Sequence, residues 1–227
     1  MLGLGVGFYG VGGKTYPGGG WLPTDEGSLQ AWYKFGKGIT DNKPGVSQWS
    51  DSSGNGHHML QATAGNRPTS SAGIITFDGS DHLESVTDIT LTDGFTVGIK
   101  LNTSDPNNVF IGDNDSNNNF YKQLNSTTFR FRNADPGGLA DVDLDGGNSF
   151  GDNYLVITRD GSNAFKVWFN GVEQADTDTR GGDSIINAIG VKNPDADDFV
   201  GDIYEIQIYS STSADLTANI NARLAGL

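Results

Sequence analysis

Cysteine is missing from all 227 residues, which removes disulfide staples, thiol nucleophiles and Cys-ligated metals together. Stability must then come from packing. The 33 glycines interrupt short apolar runs between Asn, Asp and Ser clusters, a pattern that predicts one β-sandwich rather than two domains. Basic residues are scarce as well: 14 Lys and Arg stand against 28 Asp and Glu, a formal net charge of −14. That balance excludes a surface built to grip nucleic acid phosphates or anionic lipid. No apolar run reaches the roughly 18 residues expected of a membrane-spanning helix. The start, Met1 to Phe8, carries no basic residue and is interrupted by Gly at alternate positions, so it does not read as an export signal. Synthesis and assembly in a cytoplasm are expected.

The first twenty residues differ in kind from the rest. Gly alternates there with Leu, Val, Phe and Tyr, and Lys14 is the single charged side chain. So much Gly opposes a helix, and the segment alone buries too little to fold. Two readings stand: a flexible tail, or an extended arm whose Leu2, Leu4, Val6 and Phe8 dock on a partner by adding a strand to a sheet edge. The division expected is an arm over 1–27 and a folded domain over 28–227.

Within that domain apolar side chains alternate with period two. Residues 29, 31, 33 and 35 share one face of a strand, as do 95, 97, 99 and 101, and Phe129 and Phe131 point opposite to Arg130 and Arg132. Asn170-Gly171 suits the two-residue type I′ turn of a hairpin. One helix is predicted, over Ala214–Leu224, capped by Ser213 and apolar at Leu216, Ile220 and Leu224. It is expected to cover one end of the sandwich.

Several segments occur in a telling order. Gln48-Trp49-Ser50-Asp51-Ser52-Ser53-Gly54-Asn55-Gly56 leads to an Arg67-Pro68 loop and to Phe77-Asp78-Gly79. Tyr154–Gly161, Val167–Glu173 and Phe199–Tyr209 follow before the helix. In that order they resemble a laminin-G-like, concanavalin-A-type jelly roll. The resemblance implies an all-β fold of two antiparallel sheets with a short C-terminal helix and the extended N-terminal arm. It implies no single activity, because such folds carry glycan-binding modules, glycosidases and virion structural proteins. It also raises the expectation of calcium at a sheet rim.

The residues themselves add a calcium reading. Asp141-Val142-Asp143-Leu144-Asp145-Gly146, with Asp152 at the twelfth position, follows the D-x-D-x-D-G register of calcium loops, with Asp where a bidentate Glu is usual. The competing reading makes Val142 and Leu144 inward residues of a strand whose Asp neighbours face solvent. Looser acidic clusters occur at Asp113–Asn117 and Asp195–Asp198. Asp51 and Asp78 are expected to fix turns by accepting backbone N–H groups. His57, His58 and His82 lack metal-ligand spacing. A retaining glycosidase needs two carboxyls about 5 Å apart on one face. No Glu-x-Asp-x-Glu run supplies them, so no catalytic residue is expected.

Two functions remain. The first is a virion component, a decoration or fibre module on a phage particle anchored by its arm on other virion proteins or on itself as a homo-oligomer. The second is a lectin-like module, calcium-assisted, that binds surface glycans by stacking on Trp32, Tyr121, Trp168 or Tyr209. Nucleic acid and membrane partners are not expected.

Overall fold

The computed structural model describes residues 20–115, 119–133, 138–192 and 198–227. The arm positions Leu2, Leu4, Val6 and Phe8 lie outside these residues, as do Ser116 and Asn117 of one acidic cluster and residues 195–197 of another. The strands are β1 (Leu29–Tyr33), β2 (Ile39–Asp41), β3 (Val46–Trp49), β4 (Met59–Leu60), β5 (Thr69–Ser71), β6 (Ile74–Asp78), β7 (Leu83–Leu91), β8 (Phe95–Thr103) and β9 (Asn108–Gly112). There follow β10 (Phe120–Gln123), β11 (Thr128–Arg132), β12 (Ala140–Asp143), β13 (Gly151–Arg159), β14 (Ala164–Phe169), β15 (Val172–Glu173), β16 (Asp178–Thr179), β17 (Ser184–Ile189) and β18 (Val200–Tyr209). The α-helix α1 spans Ala214–Ala225.

These strands form two antiparallel sheets. Sheet I runs β15-β14-β13-β8-β18-β6-β5, with β1 also paired to β18 and β16 to β14; sheet II runs β12-β11-β10-β9-β17-β7-β4-β3-β2. Their inner faces enclose the main core. Phe95, Val97, Ile99 and Leu101 of β8 enter it from sheet I, and Phe129, Phe131 and Tyr121 enter it from sheet II. Phe131 stacks on Phe165 at 5.5 Å between ring centroids, while Phe95 meets Phe165 edge-on at 5.9 Å. The fold expected from the alternation is therefore the fold observed. Asn170 (φ 49°) and Gly171 (φ 82°) adopt the two positive φ values of the I′ turn that joins β14 to β15.

Two details of the sequence reading are corrected. First, β1 does not keep strict alternation. Its pairing with β18 shifts between Leu29 and Ala31, so Ala31 and Tyr33 enter the main core while Leu29 turns to the outer face beside Trp32. Second, α1 does not close an end of the sandwich. It lies on the outer face of sheet I, against β13 and β8. Leu216, Ile220 and Leu224 pack there with Leu29, Trp32, Val156 and Tyr209 into a second apolar cluster, at about 1.5–3 kcal/mol for each fully buried side chain. Gly98 of β8 makes the close approach possible, because a Cβ at that position would overlap Ile220. Ser213 caps the helix as expected, its Oγ accepting from Leu216 N at 3.1 Å.

A buried ionic network locks the helix down. Glu205, on the outer face of β18, is fully buried. Its carboxylate accepts from Trp32 Nε1 (2.9 Å), Phe35 N (3.1 Å) and Gln207 Nε2 (2.8 Å), and from Nε and Nη2 of Arg223 in the last turn of α1. The Arg223 guanidinium also lies 4.8 Å from the Trp32 ring centroid. Trp21, assigned to the arm on sequence grounds, packs against this cluster and donates to Glu26 Oε1 at 3.0 Å.

Candidate functional site

Because α1 covers only part of sheet I, a groove opens between its flank and the β13–β15 edge. Ala214, Thr217, Ala218 and Asn221 recur at i, i+3, i+4 and i+7 and form one wall. Trp168 and Lys166 stand on the outer face of β14, opposite the core-facing Phe165 and Val167, and form the other. Thr158 and Asp160 also line it, with Glu173 across from Trp168. The groove encloses about 560 Å³, within the roughly 300–1,000 Å³ typical of small-molecule sites.

The chemistry of this groove is that of a polar rim around one aromatic plate. Trp168 is half-buried, and its indole N–H donates to no acceptor among the described residues. Lys166 Nζ and Glu173 Oε1 pair at 2.7 Å, both about half exposed. Asp160 Oδ1 accepts from Ser162 N (2.8 Å) and Ala164 N (3.0 Å), which fixes the β13–β14 turn; its Oδ2 makes no hydrogen bond among the described residues. A flat apolar ring beside a few directed polar groups can hold a ligand that has one apolar face and many hydroxyls.

Of the four aromatics expected to stack on a ligand, Trp168 is the one that lines this groove. The other three are inside the protein. Trp32 is bound to Glu205, and Tyr121 lies in the main core with its hydroxyl 2.5 Å from Ser184 Oγ. Tyr209 donates to Gln207 Oε1 at 2.7 Å. Burial pushes the phenols of Tyr121 and Tyr209 well above their ordinary range. Sequence alternation could not make this distinction, since Trp32 and Tyr209 face outward from sheet I and become buried only when α1 folds over them.

The four aspartates of the calcium reading are not brought together. Val142 and Leu144 point into the main core, and their neighbours turn outward to separate protein partners. Asp141 takes a bidentate grip from Arg130 at 2.7 and 2.6 Å. Asp143 Oδ1 accepts from Thr128 Oγ1 at 2.7 Å, and Asp145 Oδ2 accepts from Ala175 N at 2.8 Å. Asp152 is on the other sheet, 4.0 Å from Lys100 Nζ. Among the described residues no group of three or more His, Cys, Asp or Glu side chains is arranged to hold a metal. At the second acidic cluster Asp88, Asp113 and Asp115 all approach the amide of Asn187, at 2.9, 3.1 and 3.3 Å.

The turn aspartates act as expected. Asp51 is nearly buried and accepts from Trp32 N (3.0 Å), Ser53 N (2.8 Å), Ser53 Oγ (2.7 Å), Gly56 N (3.1 Å) and His57 N (3.2 Å). Asp78 Oδ1 accepts from Ser80 N and Oγ at 2.9 and 2.7 Å, which holds its carboxyl below the ordinary range. Asp81 is raised to about 6 by burial and by the facing Asp78. His58 Nδ1 accepts from Asp51 N at 3.1 Å, and His57 Nδ1 lies 3.1 Å from Thr87 Oγ1.

No protein-family model and no curated protein matches the chain. Solved structures do resemble it. Domain 4 of AbnA, a GH43 extracellular arabinanase from Geobacillus stearothermophilus in complex with arabinotriose, superposes with a TM-score of 0.61 at 18% identity, covering 87% of this chain and 98% of that one. The binding domain of Paraclostridial Mosquitocidal Protein 1 gives 0.57 at 14% identity, over 89% of this chain and 52% of the other. Trypanosoma rangeli sialidase in complex with the inhibitor DANA gives 0.53 at 16% identity, over 87% and 32%. The chain thus spans about half of the second protein and a third of the third. At such identities the likeness is one of fold, and it joins this chain to the antiparallel β-sandwiches.

Proposed function

We propose that the protein is a non-catalytic glycan-binding module whose ligand lies in the groove between α1 and β13–β15. The observation that carries this is Trp168, a partly buried indole whose N–H meets no acceptor among the described residues, in a groove of about 560 Å³. Sugar rings present C–H groups on one face and hydroxyls at the edge, which suits an aromatic plate with polar groups around it. The fold likeness to an arabinanase domain solved with arabinotriose supports the same class. The carboxylates near the groove support a binding rather than a hydrolytic role: Glu173 is paired with Lys166, Asp160 serves a turn, and Glu205 is sealed under α1 against Arg223. No cation is needed for this reading. The virion role and its partners rest on Leu2, Leu4, Val6 and Phe8, outside the described residues, and neither enters the proposal.

The test is an oligosaccharide array followed by calorimetry on the hits. Truncation of a central aromatic at a binding site costs about 2 kcal/mol or more, roughly 30-fold in affinity. Trp168→Ala is expected to lose that much while remaining folded, with a melting temperature lowered by the part of the indole that packs on the cluster of Leu29, Trp32 and Leu216. Undiminished binding by Trp168→Ala, or no glycan bound by the wild type, would overturn the proposal.

A further inference from the structure

We infer that the groove selects uncharged sugars and rejects anionic ones such as uronates, sialosides and sulfated glycans; this rests on the glycan-binding reading above. The inference comes from the charges that line the groove. They are Asp160, Lys166 and Glu173. Lys166 is the single cation among them and is already held by Glu173 at 2.7 Å. Binding an acidic sugar through Lys166 would require breaking that pair and leaving Glu173 beside the incoming carboxylate. Asp160 contributes a further negative charge with no cationic partner among the described residues.

The surroundings reinforce the local sign. The chain carries a formal net charge of −14, so an approaching anion meets a repulsive field before it reaches the groove. Among the described residues no arginine lines the groove, although a planar guanidinium is the side chain best shaped to grip a carboxylate in two places. What the groove offers suits hydroxyl groups: the Trp168 indole N–H can donate to a sugar oxygen, and Asp160 Oδ2 can accept from a sugar hydroxyl. Neutral polyols satisfy both without desolvating a second anion.

The experiment measures the wild type by calorimetry against matched probes at low ionic strength. The neutral set is arabinotriose, cellotriose and lactose; the acidic set is trigalacturonate and 3′-sialyllactose. One like charge about 4 Å away in water is worth about 1 kcal/mol, so acidic probes are expected to bind at least about fivefold more weakly than the best neutral one. The deficit should shrink as salt is added. Glu173→Gln, which releases Lys166, is expected to close most of the gap, and Lys166→Gln is expected to widen it. Equal or tighter binding of an acidic probe by the wild type overturns the selectivity and leaves the glycan-binding reading intact. A gap that Glu173→Gln leaves unchanged also overturns it, because the Lys166–Glu173 pair would then not set the sign. Failure of every glycan to bind overturns both.

Discussion

Replacing Glu205 by Gln tests whether the groove owes its wall to one buried carboxylate. The substitution keeps the volume and removes the charge. In the wild type five donors converge on the two oxygens: the Trp32 indole, the Phe35 amide, the Gln207 amide and two nitrogens of Arg223. A Gln side chain offers one oxygen and turns an NH₂ toward groups that are themselves donors. Arg223, whose side chain is 16% exposed against 0% for Glu205, is left as a largely buried cation without its counterion. Breaking a buried pair on one side costs about 3–5 kcal/mol. For a chain of this size each kcal/mol lowers the melting temperature by about 2–4 °C, so a fall of about 6–20 °C is expected. Differential scanning calorimetry and urea titration give the two measures. The double variant Glu205→Met, Arg223→Leu is expected to recover most of the loss, because removing both charges removes the desolvation cost as well. A loss under about 1 kcal/mol for Glu205→Gln, or a double variant no better than the single one, would refute the view that this pair clamps the helix.

Three further outcomes follow from the same geometry. Asp51→Ala leaves the Trp32, Ser53, Gly56 and His57 amides without their acceptor and is expected to cost more than about 3 kcal/mol in urea titration, at 1.5–3 kcal/mol for each bond to a charged group; a loss below 1 kcal/mol would show that water replaces it. Asp81, raised to about 6 in the folded state against about 4 unfolded, contributes stability that is full below pH 4 and is lost as pH rises through 6; Asp81→Asn should therefore gain about 1–2 kcal/mol at pH 7.5 and nothing at pH 4, and equal melting of the two proteins at both pH values would contradict it. Asp141→Asn weakens the bidentate pair with Arg130 and is expected to cost about 1 kcal/mol with or without calcium, whereas a wild-type melt that calcium raises and this variant abolishes would reinstate the calcium loop.

How far the sequence discloses this molecule depends on the range of the interaction concerned. Short-range chemistry is legible: Asn170-Gly171 specifies its turn, Ser213 its cap, Asp51 and Asp78 their loops, and Phe129 and Phe131 the inward face of β11. The identity of the fold follows from the order of such segments. Placement of the helix is not legible, because an amphipathic stripe states that Leu216, Ile220 and Leu224 are covered without saying by what. That one unknown hides much else. Glu205 has no evident partner until Arg223 folds back over it, and Trp32 and Tyr209 stand as candidate stacking rings until the helix roofs them. The groove gathers Thr158, Trp168 and Asn221 from three separate elements, so naming Trp168 was within reach of sequence reasoning and naming its neighbours was not. The four aspartates mislead for the opposite reason: a spacing that could wrap an ion also describes a strand edge, and the inward pull of Val142 and Leu144 decides between them.

Gly98 gives the helix a mechanical character. The linker before α1 is pinned where Thr96 Oγ1 donates to Ser211 O at 2.8 Å, and the far end is pinned at Arg223. Between these two fixings Ile220 rests directly on the backbone at Gly98. The helix is thus a beam held at both ends and touching its support near midspan, with the clearance set by a missing methyl group. A side chain at residue 98 would act as a shim under that beam, lifting the wall that carries Thr217, Ala218 and Asn221. The width of the groove thus depends on a position that does not line it.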